Sequence, residues 1–130
     1  MKKVLIVLAI IAGILIAGVL VLFCKEYSEV KKLDKTSVSI SEIRDGVYEG
    51  ACETALVKVR VKVTVKDGMI EDVEILEHQC GKGTPANSIT EDIINRNDIE
   101  VDAVSGATVS SEVIKNAVRN ALRKSFSDSN

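Results

Sequence analysis

Tryptophan is absent from this 130-residue chain, and two Tyr and two Phe are its only aromatic residues. A nucleic-acid partner needs a basic face, and single strands need aromatic planes on which bases stack. Neither is here: 17 basic side chains stand against 19 acidic ones, so nucleic acid is excluded as a partner. Histidine occurs once, at His78, and the cysteines at 24, 52 and 80 form no CxxC pair. No zinc or iron–sulfur pattern can be assembled from that set. Also missing is any Ser/His/Asp or Cys/His group with a recognisable local signature, which leaves hydrolase chemistry without support. There is no internal repeat and no low-complexity stretch. In an oxidising compartment Cys52 and Cys80 are candidates for pairing, and two single buried thiols are the alternative.

Charge is missing altogether from residues 4–24, VLIVLAIIAGILIAGVLVLFC. A helix of that length reaches about 30 Å, the thickness of a bilayer hydrocarbon core. A cleaved signal has a shorter apolar region and ends in small residues. This run ends in Val21-Leu22-Phe23 before Cys24, so an uncleaved anchor over residues 1–24 is expected. Phe23 also argues against a lipidated cysteine, which wants a small residue before it. Lys2 and Lys3 precede the span, which places the amino end in the cytoplasm and the rest of the chain outside the cell membrane. That remainder keeps 15 basic and 19 acidic residues, and it is long enough for one small domain.

Residues 25–44 are polar and mixed in charge, as expected of a helix leaving the membrane and then a juxtamembrane linker. From Asp45 the pattern changes. DGVYEGACE reads as a turn and a short strand. In ALVKVRVKVTVKDG, Val57, Val59, Val61, Val63 and Val65 alternate with Lys58, Arg60, Lys62, Thr64 and Lys66. Period two means a strand with one face in the core and one in water. Asp67-Gly68 is a hairpin turn, and MIEDVEILEHQ returns as the partner strand. The lysines read as a solvated face or a guard against edge pairing. Thr84-Pro85 offers a cap with proline at the first helical position, ahead of a short helix with Ile89, Ile93 and Ile94 on one side. Val113, Ile114, Ala117, Val118, Ala121 and Leu122 form the apolar stripe of a last helix. The expected fold is α+β: a small antiparallel three-stranded sheet with two helices on one face, preceded by one transmembrane helix. The domain should occupy residues 45–124, with a disordered tail over 125–130.

GKGTP at 81–85 fails as a phosphate loop, because Leu76 and Gly83 occupy the positions that need glycine and a hydroxyl residue. A flexible loop, or one shaped for backbone approach to a ligand, remains. His78 has no partner for base or metal work in the sequence, so a hydrogen-bonded or exposed histidine is expected. Carboxylates are plentiful, but they alternate with bases as on a solvated face.

VDAVSGATVSSEVI at 101–114 is different. Asp102 can begin a turn, Gly106 permits positive φ, and Thr108 or Ser110 can cap the final helix. The same geometry suits a phosphate, since a helix amino end presents unpaired N–H groups and partial positive charge. Gly106 and Ala107 leave room for an incoming group, and hydroxyls at 105, 108, 110 and 111 can donate to phosphate or be esterified by it. Residues 102–108, Asp-Ala-Val-Ser-Gly-Ala-Thr, resemble the D-x-x-[ST]-G-A-T motif of the FMN-binding domain family. Its members include flavin-carrying C and G subunits of sodium-pumping and Rnf-type membrane reductases. The resemblance extends over about residues 45–124.

That resemblance implies FMN in phosphoester linkage on Thr108, attached by a separate FAD-dependent flavin transferase using Mg²⁺. Ser105, Gly106 and Ala107 would form the recognition loop, and Asp102 would serve modification. Many relatives carry T-P-G between sheet and first helix, where this chain has GKGTPAN, similar to a subtype in which Gly81-Lys82-Gly83 takes that place. Ser110, Ser111, Gly81 and Gly83 complete the expected cofactor-binding set. The expected role is an extracytoplasmic electron relay between redox partners, with no catalytic residue and no metal ligand of its own. A module holding FMN or another phosphorylated ligand without a covalent bond is the alternative, as is a flavin-free extracytoplasmic adaptor.

Overall fold

A computed structural model describes residues 1–33, 37–79 and 87–127. Helix α1, Lys2–Lys32, begins the chain, and everything on it up to Lys25 is exposed. Val, Leu and Ile with no charge and no proline give a helix that only an apolar solvent would cover. It is long and apolar enough to cross a membrane, with a mean hydropathy of 3.3 over its most apolar window.

The last two turns of α1 do not run free. Glu26 and Val30 are buried. The Glu26 carboxylate accepts hydrogen bonds from the Thr54 hydroxyl and, at 3.1 Å, from the Leu56 N–H. Glu29 accepts one from the Ala55 N–H at 2.8 Å. The helix expected to run out of the membrane into the 25–44 segment is present to Lys32, and it is docked on the domain. A short 3₁₀ turn, Ile40–Glu42, follows and buries Ile40, with Ile43 beside it.

Strands β1 (Gly46–Glu53), β2 (Lys58–Lys66) and β3 (Met69–Gln79) form one antiparallel sheet in the order β1-β2-β3. The valine alternation sets its faces. Val59, Val61, Val63 and Val65 are buried, while Lys58, Arg60 and Lys66 are exposed. On the wet face Lys62 pairs with Glu74 of β3 at 2.7 Å, and the hydrogen bond and charge of Glu74 push the Lys62 amine above its usual range. Asp67 and Gly68 close the hairpin with φ of 53° and 72°, the paired positive values of a type I′ turn.

Strand β3 reads less cleanly than β2 because the register shifts twice, between Arg60 and Val61 and between Thr64 and Val65. Each shift leaves one extra residue on β3, so its core-facing positions run Ile70, Val73, Ile75 and His78, opposite Val65, Val63, Val61 and Val59. The bulges keep one apolar face despite the broken alternation.

Helices α2 (Ile89–Arg96) and α3 (Thr108–Ser127) bring Ile89, Ile93, Val113, Ile114, Ala117, Val118, Ala121 and Leu122 into the same core as the valine face. Gly50 of β1 sets how close α3 lies: a Cβ there would stand 2.3 Å from the Ala117 carbonyl oxygen and the Ala121 nitrogen. Helix α2 ends at Asn97, whose φ of 49° is left-handed. The Asn97 side chain accepts from the Ile70 N–H at 2.7 Å and donates to the Gly68 carbonyl at 3.3 Å, tying that end to the β2–β3 turn.

The α+β architecture matches the sequence expectation in strand number and direction. Some details differ. Ser88, in α conformation and without a side-chain cap bond, precedes α2; the expected Thr84-Pro85 start lies outside the described residues. At the other end α3 continues to Ser127, so residues 125–127 are helical where a disordered tail was expected. Ser125 holds that last turn, being buried and donating to the Leu122 carbonyl at 2.7 Å. Cys52 is a buried free thiol, while Cys80 lies outside the described residues.

Candidate functional site

The chain between α2 and α3 is anchored on the helix it is about to enter. Buried Arg119 of α3 forms an ion pair with Glu100 at 2.5 Å. Four residues on, the Val104 N–H donates to the Ser111 hydroxyl at 3.0 Å. Residues 100–104 thus run back along α3 toward its amino end. The tight turn comes next. The Ala107 N–H donates to the Val104 carbonyl at 3.0 Å, with Ser105 and Gly106 between them. Gly106 has φ of 80°, the value a type II turn demands at its third position and one that favours glycine. A Cβ on Gly106 would meet nothing within 4 Å, so the outer side of the turn is open.

Helix α3 then begins at Thr108. Its first backbone bond runs from the Ser111 N–H to the Ala107 carbonyl at 2.9 Å, leaving the N–H groups of residues 108–110 outside the helix's own bonds. The Ser111 hydroxyl donates to the same Ala107 carbonyl at 2.7 Å. The expected side-chain cap on Thr108 or Ser110 is therefore not what starts this helix. Thr108 is already helical, Ala107 occupies the cap position, and Ser111 braces the turn from within.

The expected site residues fall into groups. Asp102, Ser105, Gly106 and Thr108 are exposed, and the side chains of Asp102, Ser105 and Thr108 make no hydrogen bond or ion pair among the described residues. Ala107 is buried, as are Ser110 and Ser111. Ser111 spends its hydroxyl on Ala107 and Val104, so its place is structural support. Ser110 turns inward at 4% exposure. Gly81 and Gly83 lie outside the described residues. Two hydroxyls remain exposed and unspent among the described residues, Ser105 in the turn and Thr108, and of these Thr108 stands at the electropositive start of a 20-residue helix.

That arrangement fits a phosphate ester. The Thr108 oxygen is accessible, free N–H groups stand beside it, and the glycine before it offers no side chain to block approach. His78 sits elsewhere, on the core face at the end of β3, with Nδ1 2.5 Å from the Asn87 side-chain oxygen. Its Nε2 is buried without a hydrogen-bond partner among the described residues. No cluster of three metal-ligating side chains occurs among the described residues.

Burial pushes the Cys52 thiol up to about 11, against a smaller opposite effect of a backbone hydrogen bond at Glu53. A thiol in that state is a packing group and a poor nucleophile at neutral pH.

Sequence comparison bears directly on this loop. The family model described as the FMN-binding domain matches residues 57–123, just over half of the chain, and that range contains the whole turn and most of α3. An uncharacterized protein of Treponema pallidum (strain Nichols) is 32% identical over 89 residues. The match takes in 66% of this chain and 25% of that protein, so the chain spans about a quarter of the length of the relative.

Proposed function

The chain belongs to the FMN-binding domain family, and from that premise we propose that it is a membrane-anchored flavoprotein carrying FMN covalently on Thr108 and relaying electrons outside the cytoplasm. The observation that carries the covalent reading is the accessibility of Thr108. It is the last residue of the D-x-x-[ST]-G-A-T sequence, exposed at a helix start and without a side-chain hydrogen bond among the described residues.

The Thr108 oxygen attacks the flavin-side phosphorus of FAD, its proton leaves to a base of the transferase, and the pyrophosphate bond breaks to release AMP. The chain's own residues prepare that step. Gly106 exposes the turn, Ser111 and Ala107 fix it, and the free N–H groups of the first helical turn neutralise phosphate charge. Asp102 and Ser105 stand exposed on the outer side for recognition by the transferase. The flavin, once bound, supplies the one- and two-electron chemistry that no side chain of this domain can provide.

The anchor reading draws support from α1. Its uncharged run is long and apolar enough to cross a membrane and ends in Val21-Leu22-Phe23 where a cleaved signal ends in small residues. The orientation follows from Lys2 and Lys3 ahead of the span. Electron donors and acceptors are then other membrane or extracytoplasmic redox proteins, met by an attached cofactor that cannot diffuse away.

The test is the intact mass of protein co-expressed with a flavin transferase. An FMN-sized increment, mapped to Thr108 and lost in Thr108→Ala, is the expected result. Flavin that dissociates completely on denaturation would replace this reading with non-covalent binding. Protein that never takes up flavin would leave a structural adaptor.

A further inference from the structure

The first contact α1 makes with the domain fixes which end of the domain faces the bilayer. Everything on α1 up to Lys25 is exposed, and burial starts at Glu26. The uncharged run ends at Cys24, only about 3 Å of helix rise earlier. The Glu26 carboxylate holds the turn between β1 and β2 at that height, through the Thr54 hydroxyl and the Leu56 N–H. Further along come Val30 of α1, which is buried, and Leu33 just past its end, which packs against the core. The β1–β2 turn is thus held beside the end of the apolar run, and α1 also lies against α3.

We propose that this turn rests in the lipid headgroup layer, with Leu56 as an apolar foot. An exposed leucine alone says little; the argument is its position. Leu56 is 51% exposed and its N–H is bonded to a residue two positions past the uncharged run. The polar layer of a bilayer is about 5–8 Å deep on each side, so a side chain at this height lies within it. Phe23 and Tyr27, 63% and 55% exposed, flank the same level on α1, and aromatic residues favour that interface. Lys31 lies over the Tyr27 ring at 4.7 Å from its centroid, stacking a cation above the aromatic on the aqueous side. Lys58, exposed at the start of β2, follows the turn and is placed to meet lipid phosphate. The occupant is the bilayer surface itself, continuous with the lipid around α1. The inference rests on reading α1 as a retained anchor.

The chain has no tryptophan, so Leu56→Trp creates a single reporter at an exposed position where the fold tolerates it. The full-length variant is reconstituted in vesicles of three parts phosphatidylcholine to one part phosphatidylglycerol, with or without bromine on the upper acyl chain. Vesicle flotation first checks the anchor. The expected result is a blue-shifted emission from the reporter at 56 that loses about half its intensity to brominated lipid, as for a side chain at the headgroup–acyl boundary. A second variant, Met69→Trp, puts the reporter on the β2–β3 turn and should stay water-like and unquenched. Protein that floats but shows water-like, unquenched emission at 56 overturns the foot while leaving the anchor intact. A blue shift without lipid quenching assigns the patch to contact between protein copies and overturns it equally. Protein that fails to float removes the anchor itself, and the foot with it.

Discussion

Thr108 and Ser111 lie within one turn of the same helix and carry the same functional group, yet the fold gives them opposite work. Ser111 is fully buried and bridges the Ala107 carbonyl and the Val104 N–H. Replacing it with alanine leaves the Val104 N–H without its partner, while the Ala107 carbonyl keeps the Ser111 N–H, so Ser111→Ala should lower stability by about 1–2 kcal/mol, read as a shift in the denaturant midpoint. Thr108→Ala removes an exposed hydroxyl with no partner among the described residues. It should change stability by no more than about 0.5 kcal/mol while abolishing the flavin increment in the intact mass. The sequence alone, which places four hydroxyls in seven residues, could not make this division, because burial is decided by α3 packing on the sheet. The motif singled out Thr108 as the expected acceptor; the bracing role of Ser111 needed the turn geometry. Cys52 adds a pH dependence. Its thiol ionises at about 11 in the fold against an ordinary 9.0, so the native state holds the proton longer than the unfolded chain. Its contribution is complete below pH 9.0 and declines as pH rises toward 11, by roughly 3 kcal/mol at most. Denaturant unfolding of wild type and Cys52→Ala across that range should show the steeper alkaline loss in wild type.

At the scale of elements, the sheet was readable and the helix contact was not. The valine alternation of β2 fixes which side is core, and Asp67-Gly68 fixes the hairpin; both depend on local chemistry that sequence carries directly. Strand β3 shows the limit. Its core positions are spaced by three, two and three residues, because the bulges at Glu71 and Leu76 insert unpaired residues, and pairing partners decide where those fall. Gly50 is a further case. In sequence it is one glycine within a strand, whereas in the fold it is where α3 comes closest to β1. The Ala117 and Ala121 backbone would stand 2.3 Å from a Cβ there, and a helix backbone cannot yield as a flexible side chain can. Gly50→Ala should therefore cost about 1–3 kcal/mol through displacement of α3, visible in thermal unfolding. The α3 amino end moves with that displacement, so flavin loading should slow as well, in a timed incubation with the transferase.

For the molecule as a whole, the organisation depends on how α1 meets the domain. Composition alone divided the chain into a span, a linker and a domain. The contact of Glu26 with Thr54 and Leu56 joins residues 28 and 30 positions apart, and no local pattern announces such a pairing. Glu26→Ala leaves the Leu56 N–H without its partner and takes away a buried contact of Thr54. A loss of about 1–3 kcal/mol is expected, measured by thermal unfolding in detergent; a flexible tether would register almost none. Intact, the connection has a mechanical consequence. Helix α1 is 31 residues long, about 46 Å at the usual rise, and its upper end is bolted to the sheet. Apolar helices lean when the surrounding bilayer thins, and with α1 retained as the proposed anchor any lean would become a rotation of everything above it. Thr108 would swing along an arc, and the thickness of the surrounding lipid would become a control on which neighbours it can reach.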